Sequence, residues 1–253
     1  ASVVTTPKVS AQEVTMRLHT FVPSVSRSFK NVTWWAQQVE KNSGGRIKIK
    51  LFPSRQLGGK PSELYDQARR GFVDFIYSLP GYSPGRFPRS EVFELPFMTN
   101  RAEPASRAAW HYYEQFGKED FAKVKPLAFH VHDEGYVHNN KRPITQLSDF
   151  RGLKMRAPTR LTNKMIAAFG ATPVAMPLPA VAEAVSKGVV DGYVLPWEVI
   201  PAVKLHEMTK YHSETDKSMP SLYTALFIVA MNPAKYDSLP DDLKKVIDAN
   251  SGP

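Results

Sequence analysis

The sequence predicts an α/β protein built of two lobes. Three observations carry that expectation. Short alternating or continuously apolar runs mark strands, helical periods lie between them, and the same order returns later in the chain without repeating its residues. Strand, helix, strand in succession gives βαβ units and an α/β sheet. A chain of 253 residues suffices for one large domain or two of ordinary size.

The first strand is VTMRLHTFVP at 14–23, alternating and closed by Pro23. A helix follows from Ser26. Phe29, Val32, Trp35, Ala36 and Val39 keep the helical period, and Gly44-Gly45 supplies the stop. RIKIKLFP is a strand of strict period two, PSELYDQARRG a short helix opening at Pro61, and VDFIYSLP a strand of the fully buried kind. Residues 101–125 read as helical and polar. PLAFHVHDEG is a strand carrying His130 and His132, and NNKRPITQLSDFRG is a loop with a short turn.

GLKMRAPT then alternates again, with Gly152, Lys154 and Arg156 on one side, Leu153, Met155 and Ala157 on the other, and Pro158 ending the run. LTNKMIAAFG is a helix stopped by Gly170, ATPVAMPLP a strand, AVAEAVSKG a helix stopped by Gly188, and VVDGYVLP another buried strand. SLYTALFIVAMNP reads as a long apolar strand, and SLPDDLKKVIDANSG as a final helix with Leu243, Val246 and Ile247 on its inner face.

Composition narrows the function. An apolar fraction of 42% excludes a disordered chain. No segment reaches the roughly 20 apolar residues of a membrane helix, the longest run being Ala225 to Met231. Cysteine is absent, which excludes thiolate chemistry and disulfides. The charge of +9 is scattered over Lys41, Arg46, Lys48, Lys50, Arg55, Arg69, Arg70, Arg86 and Arg89 without a nucleic-acid signature, so no nucleic-acid partner is expected. Val9-Ser10-Ala11 before Gln12 has the small-x-small form of an export cleavage site, which makes residues 1–11 a tail.

No motif for catalysis stands out. Walker A and GxGxxG sequences are missing, no GxSxG forms a strand-to-helix elbow, and Gly44-Gly45 and Gly58-Gly59 are turn glycines. His130, His132, Asp133 and Glu134 could be drawn as a metal or catalytic cluster, but their spacing matches no specific site, so neither a metal nor a cofactor is expected. Ligands of open α/β sheets sit beyond the carboxyl ends of the strands. The loops after Phe21, Ser78 and Arg156 are therefore where one belongs, and Arg156 is a guanidinium aimed at a cleft. Two lobes, a cleft and an inward arginine describe a binding protein.

SGGRIKIKLFPSRQLGG, GFVDFIYSLPGYSPGRFP, ELPF, NNKRPITQLSDFRGLKMRAPT, MPLPAVAEAVSKGVVDG and FIVAMNPAKYDSLPDDLKKVI stand in constant order over about 14–250. Together they resemble an extracytoplasmic solute-binding protein of the tripartite ATP-independent periplasmic (TRAP) transporters, the DctP-like family. The resemblance implies a two-lobe periplasmic-binding-protein fold of type II kind, with a hinge and a central ligand cleft. Residues 12–133 would form the first lobe, 134–221 the second, and 222–253 the return to the first. Relatives continue past Asn250-Ser251-Gly252 into further helix, so the C-terminal helix is expected to be cut short. Implied with it are a periplasmic location, a monomer, delivery of an organic acid to membrane permease subunits, and no catalysis.

In that family the GLKxR arginine, here Arg156, clamps the ligand carboxylate, which suits a planar fork of fixed charge. Where sialic-acid-binding members carry a second arginine, this chain has Tyr136 and Val137 sharing the position. Tyr193 to Trp197 stand where they have a polar amide, Phe21 near their asparagine, Leu79 at their glutamate and Leu178 at their aromatic ring. Apolar contacts thus replace polar ones while the clamp stays. The expected apolar wall is Phe21, Leu79, Val137, Leu178, Leu195 and Trp197. Ser78 and Thr159 serve as hydrogen-bond partners near the ligand head, and Tyr193 and Tyr223 complete the site. The expected ligand is a hydrophobic monocarboxylate, first an aromatic 2-oxo or 2-hydroxy acid, then a branched aliphatic 2-oxo acid. An enzyme acting through His130 to Glu134 and a sensory domain are the rivals from other classes. Lobe closure is expected about Asp133 to Gly135 and Pro220 to Tyr223.

Overall fold

The computed structural model describes residues 14–99 and 101–253, so the expected tail and its cleavage-like Val9-Ser10-Ala11 lie outside the described residues. In chain order come β1 (Val14–Thr20), α1 (Arg27–Asn42), β2 (Ile47–Phe52), α2 (Leu64–Arg69), β3 (Phe75–Ser78), α3 (Ala102–Tyr112) and β4 (Lys125–Val131). Next are β5 (Gly135–Asn139), β6 (Lys154–Ala157), α4 (Arg160–Ala168), β7 (Thr172–Ala175), α5 (Val181–Ser186), β8 (Gly192–Pro196) and β9 (Tyr211–Ser213). The chain ends with β10 (Leu226–Met231), α6 (Pro233–Asp237) and α7 (Asp241–Ala249). No helix among the described residues is long and apolar enough to cross a membrane.

Two five-stranded sheets result, ordered β2-β1-β3-β10-β4 and β7-β6-β8-β5-β9. The βαβ expectation holds for β1 with β2 and β3, and for β6 with β7 and β8, which are parallel. Each sheet also takes antiparallel strands. β10 comes after the excursion through the second sheet and slots between β3 and β4. All six of its residues are buried, as a central strand covered on both faces requires. β5 lies antiparallel between β8 and β9. Neither β5 nor β9 was expected from the pattern, and the long strands read at 171–179 and 221–233 shorten to β7 and β10.

Local chemistry sets the elements that frame the site. Ser26 caps α1 by accepting a 3.2 Å bond from the Phe29 amide. Val32, Ala36 and Val39 then face the core, and Trp35 meets the edge of Phe75 at 5.5 Å. Ile47 and Ile49 of β2 point inward while Lys48 and Lys50 stay exposed. On the second sheet Val137, Met155, Ala157 and Val194 form one face, packed on Met165 and Ile166 of α4.

Where the chain passes from β4 to β5 it runs beside its own return. The Gly135 amide donates to the Tyr223 carbonyl at 3.1 Å. A Cβ on Gly135 would fall within 2.5 Å of Tyr223 Cδ1 and Cζ. Only glycine lets that ring lie flat on the strand's start.

Candidate functional site

Beyond the strand ends lies a narrow cavity of about 40 Å³. The segments after β1 and β3 reach it with Phe21 and Leu79, and the end of β6 reaches it with Arg156. Arg156 is its dominant charge. The strand β6 holds this residue between β7 and β8, and Pro158 turns the chain away immediately afterwards. The side chain is only 1% exposed. Its Nε donates to the Met176 carbonyl at 2.9 Å and one terminal nitrogen to the Val194 carbonyl at 3.2 Å. A guanidinium carries five N–H donors, so the fork is held by its stem and keeps donors to offer.

Among the described residues no carboxylate forms an ion pair with Arg156; the side chains that feel its charge are Tyr82, Tyr223 and His132. A buried charge without a counter-ion is costly, and an anionic ligand is what removes that cost.

The remaining wall is mostly rings. His130 and Phe227 stack at 4.8 Å and 8°, and Tyr77 stacks on Phe227 at 5.2 Å and 21°. Phe21 meets Tyr82 edge-on at 5.2 Å and lies 6.3 Å from Phe227. Tyr82 accepts a 3.0 Å bond from the Leu178 amide, tying the turn after β3 to the segment after β7.

The two histidines are neutral for physical reasons. Burial lowers the pKa of His130 and brings His132 down to about 4. Each ring donates Nδ1–H to a backbone carbonyl, Val131 for His130 and Asp133 for His132, because a carbonyl can only accept. Both Nε2 atoms are therefore acceptors. Glu134 meanwhile accepts from the Tyr136 hydroxyl at 2.5 Å. Among the described residues no group of three or more histidines and acids is placed to hold a metal.

Of the residues expected from sequence, the cavity gathers Arg156, Phe21, Leu79, Leu178, Leu195 and Tyr223. It does not gather Ser78, Tyr136, Val137, Thr159, Tyr193 or Trp197. On β3 alternation turns Tyr77 to the cavity and Ser78 to the other face. Val137 pairs with Val194 on the face that packs against α4. Tyr193 is buried elsewhere, its hydroxyl 2.8 Å from Thr209 Oγ1. Trp197 lies beyond the end of β8 and turns outward, 37% exposed, donating Nε1–H to Glu214 at 2.6 Å. It shares an outer groove with Tyr136, Asp133 and Lys217. Thr159 caps α4, its hydroxyl 3.0 Å from that of Thr162, and lines a separate cleft with Arg55 and Lys60.

Sequence reasoning missed Tyr77, Tyr82, His130 and His132 as wall residues, along with Phe227, Ser28 and Glu198. For Tyr77 no signal was available, because all four residues of β3 are buried. The histidines were visible but were weighed as a metal or catalytic cluster or as packed or solvated at a strand end, not as cavity wall.

Comparison with known proteins places this geometry. The model of the bacterial extracellular solute-binding proteins, family 7, matches residues 18–251. A TRAP solute-binding protein from Rhodoferax ferrireducens, solved with copurified benzoate, is 51% identical, with a TM-score of 0.93 over 94% of this chain and 74% of that one. A marine metagenome TRAP protein specific for aromatic acid ligands, solved with 3-hydroxybenzoate, is 47% identical, with a TM-score of 0.93 over 96% of this chain and 76% of that one. One from Bordetella bronchiseptica, with (R)- and (S)-mandelate bound, is 28% identical, with a TM-score of 0.88 over 94% of this chain and 75% of that one.

The two mixed sheets are thus those of the two-lobe α/β binding fold, and such proteins bind small organic acids and work with membrane permease subunits. From the match over 18–251 and the shared fold, the chain belongs to the bacterial extracellular solute-binding proteins of family 7, as a TRAP-type solute-binding protein and not an enzyme.

Proposed function

We propose that this chain captures an aromatic monocarboxylate in the periplasm, as a monomer, and hands it to its membrane permease. One observation carries the proposal. Arg156 is a buried guanidinium without a carboxylate partner among the described residues, at the wall of a cavity otherwise lined largely by rings. A carboxylate's two oxygens match the fork, and a flat ring fits against the parallel faces of His130, Phe227 and Tyr77. A branched aliphatic acid would fill volume without using those faces. The aromatic acids held by the proteins from Rhodoferax and the marine metagenome support the same class.

Next to Arg156 the neutral His132 presents an Nε2 lone pair. It accepts from a 2-hydroxyl and has nothing to give a 2-oxo group, so among 2-substituted acids the hydroxy acids fit better. The test is titration calorimetry with benzoate, mandelate, phenylpyruvate, pyruvate and sialic acid. The aryl acids are expected to bind, pyruvate at least tenfold more weakly for want of about six ring carbons at roughly 0.8 kcal/mol per buried methylene, and the sugar acid not at all. Pyruvate equalling the aryl acids, or tight binding of sialic acid, overturns the proposal.

A further inference from the structure

We infer that the ligand reaches Arg156 through one particular opening, the basic cleft beside Thr159, where Arg55 and Lys60 hold its carboxylate before it passes inward. The inference rests on the monocarboxylate reading and adds to it an outer binding site for the same anion.

Two open spaces adjoin the cavity. A cleft of about 540 Å³ shares Tyr82 and Pro158 with it, and the groove of about 720 Å³ beside Trp197 shares Glu198. The wall between cleft and cavity is therefore one residue thick. The cleft also reaches the stem of the fork, because Met176, whose carbonyl accepts from Arg156 Nε at 2.9 Å, lines it.

Charge distinguishes the two openings. The groove sets Glu103, Asp133, Glu134 and Glu198 against Arg101 and Lys217. The cleft has Arg55, Lys60 and Arg160, and no acid among its described lining residues. Arg160 is already engaged: its Nε donates to Glu91 Oε1 at 3.1 Å and a terminal nitrogen donates to Glu91 Oε2. Glu63 stands nearby, but its carboxylate accepts from the Lys60 backbone amide at 2.8 Å. The Arg55 and Lys60 side chains are exposed and form no ion pair among the described residues. An anion is thus repelled at the groove and drawn to the cleft.

The turn that carries Arg55 is fixed in place. Ser54 and Arg55 both take left-handed backbone, with φ of 51° and 61°, which residues bearing a side chain seldom adopt. Their amides donate to the Val22 and Thr20 carbonyls at 3.0 and 2.9 Å, pinning the turn to the end of β1. Below it, the seam between the two sheets is closed by the Leu178 amide on Tyr82 at 3.0 Å and by Arg160 on Glu91. A carboxylate held at Arg55 and Lys60 waits one layer of side chains from Arg156.

Stopped-flow mixing with benzoate, applied to the wild-type chain and to the double variant Arg55→Gln, Lys60→Gln, tests the inference. At about 10 mM salt the screening length is about 30 Å. There the double variant's association rate constant is expected to fall at least about threefold, with the dissociation rate constant unchanged. At about 150 mM salt, with screening over about 8 Å, the wild-type rate is expected to drop towards that of the variant. Lys217→Gln takes a cation from the groove instead and is expected to associate as wild type does. Association as fast in the double variant as in wild type, or slowed in Lys217→Gln, overturns the inference and leaves the monocarboxylate reading standing. Faster dissociation from the double variant does the same, since Arg55 and Lys60 would then hold the bound ligand and not the approaching one. Benzoate that fails to bind the wild-type chain overturns both.

Discussion

Replacing Arg156 by Met separates a ligand clamp from a structural arginine, because the two predict opposite balances of stability and affinity. In the free protein the substitution removes a charge that is 1% exposed and has no carboxylate partner among the described residues. Relief of such a buried charge is worth several kcal/mol. Against it stand two backbone carbonyls, of Met176 and Val194, that lose their donors, at roughly 1–3 kcal/mol for each that stays unsatisfied. The two effects nearly offset, so the unfolding midpoint of the free variant is expected to move by only a few degrees in either direction. In the complex nothing offsets the loss. A ligand carboxylate left in the cavity without its cation costs about 2–5 kcal/mol, which is roughly thirtyfold to several-thousandfold in Kd at about 1.4 kcal/mol per decade. Calorimetry with benzoate measures the affinity, and thermal unfolding with and without benzoate measures the rest. At 100 times its Kd a ligand stabilises by about 2.7 kcal/mol, and that increment should vanish in Arg156→Met. Arg156→Lys keeps the charge but loses the fork and should fall between. An Arg156→Met protein that binds benzoate as wild type does, while unfolding far more easily, would refute the clamp.

Two further outcomes follow from packing and burial. Gly135→Ala sets a methyl group into the Tyr223 ring; overpacking of this kind costs typically 1–3 kcal/mol, and because Tyr223 lines the cavity, denaturant titration and calorimetry should show losses of both stability and benzoate affinity. Glu94 is buried against Gly81 and Thr159, with Glu91 adding repulsion, and its pKa is raised to about 7 chiefly by desolvation. The folded state therefore holds this proton more tightly than the unfolded chain does. Its contribution is fully present below the ordinary carboxyl range and is lost as pH rises from about 4.5 to about 7, a change on the order of 3 kcal/mol. Glu94→Gln should flatten that part of the stability profile measured by urea unfolding from pH 4 to 8, and an unchanged slope would show that Glu94 is not its source.

The fold was legible wherever one face of an element is wet. RIKIKLFP declares β2 because Lys48 and Lys50 must reach water while Ile47 and Ile49 are buried. Helix α1 declares itself the same way. What stayed hidden was buried on both sides or polar inside. β5 reads GYVHN, with His138 and Asn139 at 0% exposure, and nothing in that string looks like a core strand. It is one because His138 Nε2 bonds the Leu195 carbonyl at 2.9 Å and Asn139 accepts from the amides of Lys141 and Arg142. Those partners are fixed only once the sheet exists.

The same limit explains the site. Arg156 was legible because a guanidinium at a buried strand end before a proline has few other uses, and the neighbouring motif gave its register. The wall depends on register by single residues. All four residues of β3 are buried, so composition cannot say whether Tyr77 or Ser78 faces the cavity, and a shift of one residue exchanges a ring for a hydroxyl. Trp197 is the converse case. It follows a buried strand and looks like a ligand-stacking ring, yet a partner far along the chain, Glu214, draws it outward. The place of the histidines in the cavity wall stayed hidden for a deeper reason. Spacing along a strand tests for a metal, but the state of His130 is set by a carbonyl and a phenol, Val131 and Tyr77, and neither partner can be read from that spacing. Where the protons already sit therefore matters in this cavity: the Arg156 guanidinium can only donate, and His132 Nε2 can only accept.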